Sequence, residues 1–293
     1  MQQTSSEPIA TRPTGHALGA DIDGIDLSNP LTEGARATIS QAFQSHLVLR
    51  FRGQHLSHQQ LIDFSRNLGD LDLAPISSSG LREIPEHPEL LVISNVKENG
   101  RAIGSLGNGE ADWHTDMSYL ELPPKYTCLY SLEIPRVGGN TSFLNMYAAL
   151  EALPDALRER IATLRCKHDI SRNSGGEIRK GFEAYANEPD PRKIPGVYHP
   201  LVYRHPETGR ESLYLGRRGN AHIEGLDVAD SEALLDQLWA HACQDRFRWD
   251  QTWEVGDLIA WDNRCTMHRR DAFDDSDRRV MLRTQITGDT RPH

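Results

Sequence analysis

Between positions 279 and 286 the chain alternates without a break: Val280, Leu282, Thr284 and Ile286 share one face, and Arg279, Met281, Arg283 and Gln285 share the other. Strand side chains point to opposite faces in turn, so this stretch is a β-strand with one face for packing and one that aims two guanidiniums the same way. Any fold must give the apolar face a partner and the arginines either water or an anion. Charged side chains are mostly exposed, which makes a solvent-facing strand the plain reading. No acid alternates with the two arginines, however, and a buried guanidinium without an anion is costly, so a negatively charged ligand is the second reading.

Similar short apolar stretches recur at 19–27, 46–51, 90–94, 128–132, 197–203, 212–216, 247–249 and 258–261, most of them ended by Gly, Pro or Asn. The 205–210 segment reads as a hairpin turn. Helical spacing is confined to a few places. One is 32–45; another starts at Ser57, whose Gln60 three residues on makes a capping box, and runs to Gly69. Two more cover 148–153 and 154–164, and Ser231 is placed to cap a last one that ends near Gln244. Many strands with few helices predict a mainly β, α+β fold: a β-sandwich or a jelly roll (double-stranded β-helix) decorated by helices. At 293 residues this fits one domain at 15–293, behind a flexible N-terminal tail at 1–14. The polar, aperiodic stretches near 71–110 and 167–195 are expected to be lids, because long loops inside compact domains are commonly functional.

A net charge of −10 excludes nucleic-acid binding through a broad basic surface, since phosphate contacts supply that affinity. No apolar run approaches the ~18 residues of a membrane span, and the polar start lacks the apolar centre of a secretion signal. A cytoplasmic protein is expected. Cys128, Cys166, Cys243 and Cys265 have no paired spacing, so neither a zinc site nor a disulfide framework is predicted.

Chemistry enters at Trp113-His114-Thr115-Asp116. His and Asp two apart on an extended segment reach one metal, and a second imidazole completes the facial triad of non-haem Fe(II), which leaves positions open for a cosubstrate and O₂. His268 is the best third ligand. The pattern alone is common: His87-Pro88-Glu89, His205-Pro206-Glu207 and His222-Ile223-Glu224 have the same form.

Taken together, four motifs carry a resemblance. They are Trp113-His114-Thr115-Asp116; Gly138-Gly139-Asn140-Thr141; Trp261-Asp262-Asn263-Arg264-Cys265-Thr266-Met267-His268; and Arg279 and Arg283, eleven and fifteen residues past that His. From about 19 to 288 the chain resembles the taurine dioxygenase and 2,4-dichlorophenoxyacetate dioxygenase family of Fe(II)- and 2-oxoglutarate-dependent oxygenases. The resemblance implies that His114, Asp116 and His268 ligate iron, that Thr141 and Arg279 hold 2-oxoglutarate, and that Arg283 faces a substrate anion. The implied reaction consumes O₂ and 2-oxoglutarate, releases succinate and CO₂, and hydroxylates a small organic substrate.

The expected substrate is a small carboxylate or sulfonate, aryloxyalkanoates among them, with Met117 and Tyr119 as candidate walls of its apolar pocket. Where the taurine enzymes carry a sulfonate-binding His this chain has Ala74, which counts against taurine itself. A taurine or alkylsulfonate dioxygenase is the alternative, with a metal-dependent hydrolase or a non-catalytic jelly-roll binding protein further off. A homo-oligomer is expected.

Overall fold

The alternating stretch becomes the strand Val280–Ile286 near the middle of an eight-stranded sheet. The computed structural model describes residues 9–76, 82–107, 111–173 and 175–293. The sheet runs Ala10–Pro13, Ala20–Asp23, Val48–Phe51, Leu258–Asp262, Tyr126–Glu133, Val280–Ile286, Leu91–Ser94 and Ser105–Leu106. A second sheet of four strands runs Arg248–Gln251, Thr141–Asn145, Thr266–Arg270 and Ala111–His114. The larger sheet is mixed and the smaller one wholly antiparallel, with few helices beside them.

The two faces of Val280–Ile286 go where their chemistry requires. Val280, Leu282 and Ile286 pack with Cys128 and Tyr130 against helices α1 (Glu33–His46) and α2 (His58–Arg66), through Ile39, Phe43, Leu61 and Phe64. Thr284 completes that face by meeting Ser65 hydroxyl to hydroxyl at 2.7 Å. Met281 points the other way, with Leu91, Ile93, Leu129, Ile259 and Trp261, toward Phe143 and Trp249 of the smaller sheet. Arg283 and Gln285 lie on this inner face between the sheets. The outer side of the smaller sheet, carrying Leu144 and Met267, is covered by α3 (Met146–Glu151), α4 (Asp155–Ile161) and α5 (Val228–Ala242).

Local signals set most helix ends. Thr32 caps α1 through Ala35 N–H, and Ser57 and Gln60 form the expected capping box on α2. Ser231 does not cap α5: Asp227 does, and Ser231 lies buried inside the helix, where its Oγ accepts from Ile223 N–H. Asp227 offers the same acceptor four residues earlier, which moves the start back.

Two further expectations change. The tail expected at 1–14 is shorter, because Ala10–Pro13 pairs antiparallel with Ala20–Asp23; residues 1–8 lie outside the described residues. The lid expected at 167–195 begins as the middle strand, Arg165–Asp169, of a three-stranded sheet with Gly196–Pro200 and His222–Ile223. Its polar sequence hid it. Lys167 is buried and donates to the carbonyls of Pro191 and Ile194, so a charged residue serves an internal position and erases the apolar period. The other expected lid, 71–110, contains residues 77–81 and 108–110, which lie outside the described residues. Its start is tied down: Asp72 N–H donates to Gln285 O at 2.9 Å and Ala74 N–H to Pro88 O at 2.8 Å.

Candidate active site

Register brings the first two candidate ligands together. His114 ends the edge strand Ala111–His114, and His268 is its direct partner on Thr266–Arg270. Facing side chains of an antiparallel pair lie within contact, and these rings sit 4.2 Å apart between centroids. The chain then turns: Thr115 N–H donates to Gly216 O at 3.0 Å, and Met117 adopts a left-handed backbone with φ 45°. This turn carries Asp116 back toward the rings. One ligand atom from each of His114, Asp116 and His268 lies within 4.8 Å of the others, and all three residues are buried.

The two carboxylate oxygens of Asp116 have different surroundings. Oδ2 accepts from Thr127 Oγ1 at 2.9 Å and from Gln285 Nε2 at 3.3 Å, both on the larger sheet. Thr127 is fixed in turn by Asn263, whose Nδ2 donates to Thr127 Oγ1 and whose Oδ1 accepts from Trp261 Nε1. Oδ1 has only long approaches: 3.5 Å to Arg283 Nη1, 3.6 Å to His114 Nε2 and 3.8 Å to His268 Nε2. Burial alone would raise the Asp116 carboxyl; Arg283, then His268 and His114, outweigh it and hold the group well below its ordinary range. Burial, then His114, pushes His268 down to about 3, so its ring is neutral as a metal ligand requires. His114 Nδ1 lies 2.7 Å from Asp112 O, which fixes Nε2 as the nitrogen with a free lone pair.

The donor set fits a divalent ion: two imidazoles, one carboxylate, and a second layer that orients it. The expected cosubstrate residues fit an organic anion. Arg279 is 2% exposed, its Nε has no partner, and burial, with Arg270 nearby, lowers its guanidinium to about 9. A charge buried this deeply calls for an anion between the sheets. Gly139 makes the space: a Cβ there would meet Pro135 at 2.8 Å and Arg279 Nε at 3.4 Å. Thr141 is buried and its hydroxyl accepts from Trp253 Nε1 at 3.1 Å, so its own proton remains to be donated.

The expected substrate residues scatter more. Arg283 is at the centre, with its Nη2 donating to Gln285 Oε1 and its Nε without a partner. Ala74 is buried in the same inner cluster as Leu91, Ile93 and Leu129. Met117 is half-buried on the turn. Tyr119 is buried, but its ring is not a bare apolar wall: the Arg179 guanidinium lies 4.0 Å from its centroid and that of Arg217 lies 5.8 Å away. Sequence reasoning passed over Thr127, Gln285, Asn263 and Arg217. Gln285 was legible as a polar residue on the Arg279 and Arg283 face; Thr127 had only the alternation of its strand to mark it.

The profile of the "Taurine catabolism dioxygenase TauD, TfdA family" matches residues 10–285. The chain belongs to that family. Pentalenolactone F synthase of Streptomyces avermitilis is 35% identical, covering 94% of this chain and 93% of its own. Alpha-ketoglutarate-dependent 2,4-dichlorophenoxyacetate dioxygenase of Cupriavidus pinatubonensis is 34% identical, covering 96% and 98%. Among solved structures, AAD-2 in complex with Mn(II) and N-oxalylglycine superposes with a TM-score of 0.79 at 32% identity, covering 98% of this chain and all of its own. This TauD/TfdA chain is therefore a 2-oxoglutarate-dependent dioxygenase, with Fe(II) as its metal cofactor and 2-oxoglutarate and O₂ as its cosubstrates. Among the described residues no helix is long and apolar enough to cross a membrane.

Proposed function

We propose that this dioxygenase hydroxylates a small organic anion, a carboxylate or sulfonate with aryloxyalkanoates among the candidates, between the two sheets of a jelly roll. The observation that carries the reading is the inner face of Val280–Ile286, where Arg283 follows Arg279 with its Nε buried and unpartnered, beside a carboxylate that already has its own orienting bonds. His114, Asp116 and His268 hold the metal. With 2-oxoglutarate and O₂, the iron supplies the oxidising chemistry that releases succinate and CO₂ and leaves a hydroxyl on the substrate.

The protein's own part is binding, orientation and exclusion of water. Arg279 takes the far carboxylate of 2-oxoglutarate in a charge-assisted fork, with the Thr141 hydroxyl as an added donor. Thr127 and Gln285 keep Oδ2 of Asp116 occupied, so Oδ1 is the oxygen offered to the metal. Arg283 anchors the substrate's acidic group beside the triad and thereby sets which carbon is presented. Ala74 adds no polar group of its own to the inner cluster, where the taurine enzymes carry a sulfonate-binding His, which counts against taurine itself. Of the expected lids near 71–110 and 167–195, the described residues 71–76, 82–107, 170–173 and 175–195 are the ones proposed to cover the site when both ligands are bound, as water exclusion requires. The protein works in the cytoplasm, and a homo-oligomer is the state to be checked by sedimentation.

The test is a substrate panel of aryloxyalkanoates, alkylsulfonates and neutral analogues, scored by succinate formation in air with and without 2-oxoglutarate. Anions should support coupled turnover, and Arg283→Ala should abolish the preference. Brisk turnover of an uncharged compound that survives Arg283→Ala would sink the anion model and leave only the cosubstrate chemistry.

A further inference from the structure

Adjacent arginines after the strand Glu211–Leu213 have opposite fates. Arg218 is neutralised, with Nη2 at 2.6 Å from both Glu232 Oε2 and Asp236 Oδ1. Arg217 has no such partner. Its one side-chain hydrogen bond, from Nη1, goes to the carbonyl of Arg172 at 2.9 Å; its Nε is buried without a partner, and no carboxylate pairs with it among the described residues. Burial lowers its guanidinium, with Arg179 adding repulsion.

The backbone explains why it sits there. Gly216 has φ 66°, and a Cβ at that position would fall 2.0 Å from His168 Nδ1, so only glycine lets the chain pass over that buried ring. The Gly216 carbonyl receives Thr115 N–H, and Arg217 forms a bridging pair with His114 itself. Arg217 is thereby fixed one strand away from the metal ligands, and its charge acts on Asp116 and His268 as that of Arg283 does from the other sheet. The Tyr119 ring then links Arg217 to Arg179, for which no carboxylate pairs among the described residues either.

In the loaded site two guanidiniums are left without a carboxylate of their own at ion-pair distance. A divalent metal with Asp116 and one carboxylate of the keto acid, and Arg279 with its other carboxylate, sum to neutrality. Arg283 and Arg217 remain. Glu83 is the other acid near Arg283: burial raises its carboxyl while Arg283 lowers it, its Oε2 makes no hydrogen bond, and it forms no ion pair with Arg283 among the described residues. A cavity of about 280 Å³ joins His114, Arg172 and Arg217, close to the small end of the range for small-molecule sites. Asp169 also borders it; its carboxylate is oriented by Ser171 N–H at 2.6 Å and Asn220 Nδ2 at 2.9 Å and attracts Arg217 only from beyond ion-pair distance, as Asp116 does, and Asp112 is exposed.

From this arrangement we infer that the substrate carries two acidic groups, one held at Arg283 and the other at Arg217 and Arg179, with the reacting carbon between them. The inference rests on the reading that Arg283 takes the first of these groups. The class is a dicarboxylate or a carboxylate–sulfonate on an apolar frame.

Matched probes test it by calorimetry on the Mn(II)- and 2-oxoglutarate-loaded protein under argon, so that binding is read without turnover: phenoxyacetate against 4-carboxyphenoxyacetate, and hexanoate against adipate. Each doubly charged probe should bind about tenfold or more tightly than its singly charged parent, as desolvated charge pairs do. Arg217→Gln should erase that advantage while the parent's affinity stays within about threefold, and Arg217→Lys should restore part of it. Arg179→Gln should remove a smaller share, about threefold, and it carries the test should Arg217→Gln fail to fold by circular dichroism. Equal affinity for parent and doubly charged probe in the unaltered protein overturns the inference, as does an equal loss for both in Arg217→Gln. Arg283→Gln separates the two readings. If it leaves the parent untouched while Arg217→Gln still removes the advantage, the anchor at Arg283 fails and the second station stands.

Discussion

Two clusters in this protein have nearly the same composition and, on the proposed assignment, opposite uses. His114, Asp116 and His268 form one; His205, Asp262 and Cys265 form the other, and both are buried with ligand atoms within 4.8 Å. They differ in what else reaches the carboxylate. Asp262 accepts from Arg264 N–H and Nε at 2.9 Å on one oxygen, and from Arg264 Nη2 at 2.7 Å and His205 at 3.0 Å on the other. Arg264 chiefly holds its carboxyl low against burial, and the Cys265 thiol is driven well up by burial and by Asp262. A neutral thiol beside a saturated carboxylate offers a metal nothing. Asp116 keeps one oxygen held and the other directed at two neutral imidazoles. The lesson is that proximity of ligand types does not make a metal centre; lone pairs left free by the surrounding bonds do.

The largest effect expected from this contrast is all or none. Asp116→Ala should abolish metal uptake and 2-oxoglutarate turnover, whereas His205→Ala should still take up one metal per chain, as read by atomic emission on protein loaded with Fe(II) without air. A loss of metal in His205→Ala alone would reverse the assignment of the two clusters. Next in size, Asp262→Ala should cost stability, roughly 3 to 5 kcal/mol in urea unfolding, because Arg264 is left buried with only half-exposed Glu207 to meet it. A change below about 1 kcal/mol would mean that the second cluster is not the fold's ion pair.

Arg279→Ala should weaken 2-oxoglutarate by roughly 2 to 5 kcal/mol, because a desolvated carboxylate loses its fork. Titration of the metal-loaded protein without O₂ measures this, and an unchanged affinity removes Arg279 from the cosubstrate site. The smallest effect sharpens the contrast most. Thr127→Val removes the one short bond to Asp116 Oδ2 and should lower metal affinity about 10- to 100-fold while the fold is kept. Equal metal affinity in that variant would mean that the carboxylate needs no support from the opposite sheet.

The same division separates features legible in the sequence from those hidden in it. Strict alternation at 279–286 reported both faces of one strand, because side-chain direction is a local property. Ser57 and Gln60 reported a helix start for the same reason. The triad became legible through the motif at 113–116 joined with His268, and the register of His114 against His268 then explains the pairing. Thr127 and Arg217 carried no local mark. Their importance comes from which strand lies across from which, and from whether a neighbour happens to neutralise a charge: Arg218 and Arg217 read alike in sequence and differ wholly in company. Arg165–Asp169 escaped notice because its buried Lys is satisfied by carbonyls 24 and 27 residues away in the chain. Ser231 misled because an N-cap residue type also serves inside a helix when it has another donor to satisfy.

Asp116 leaves the smaller sheet at the end of its edge strand, yet its Oδ2 is gripped by Thr127 and Gln285 of the larger one. A metal bound at Oδ1 and at both histidines is therefore a rivet through two layers. Loading it stabilises the alignment of the layers by the full binding free energy, and heat that slides one layer over the other must first extract the ion. On the proposed assignment, the oxidation chemistry and the alignment of the two layers depend on a single carboxylate.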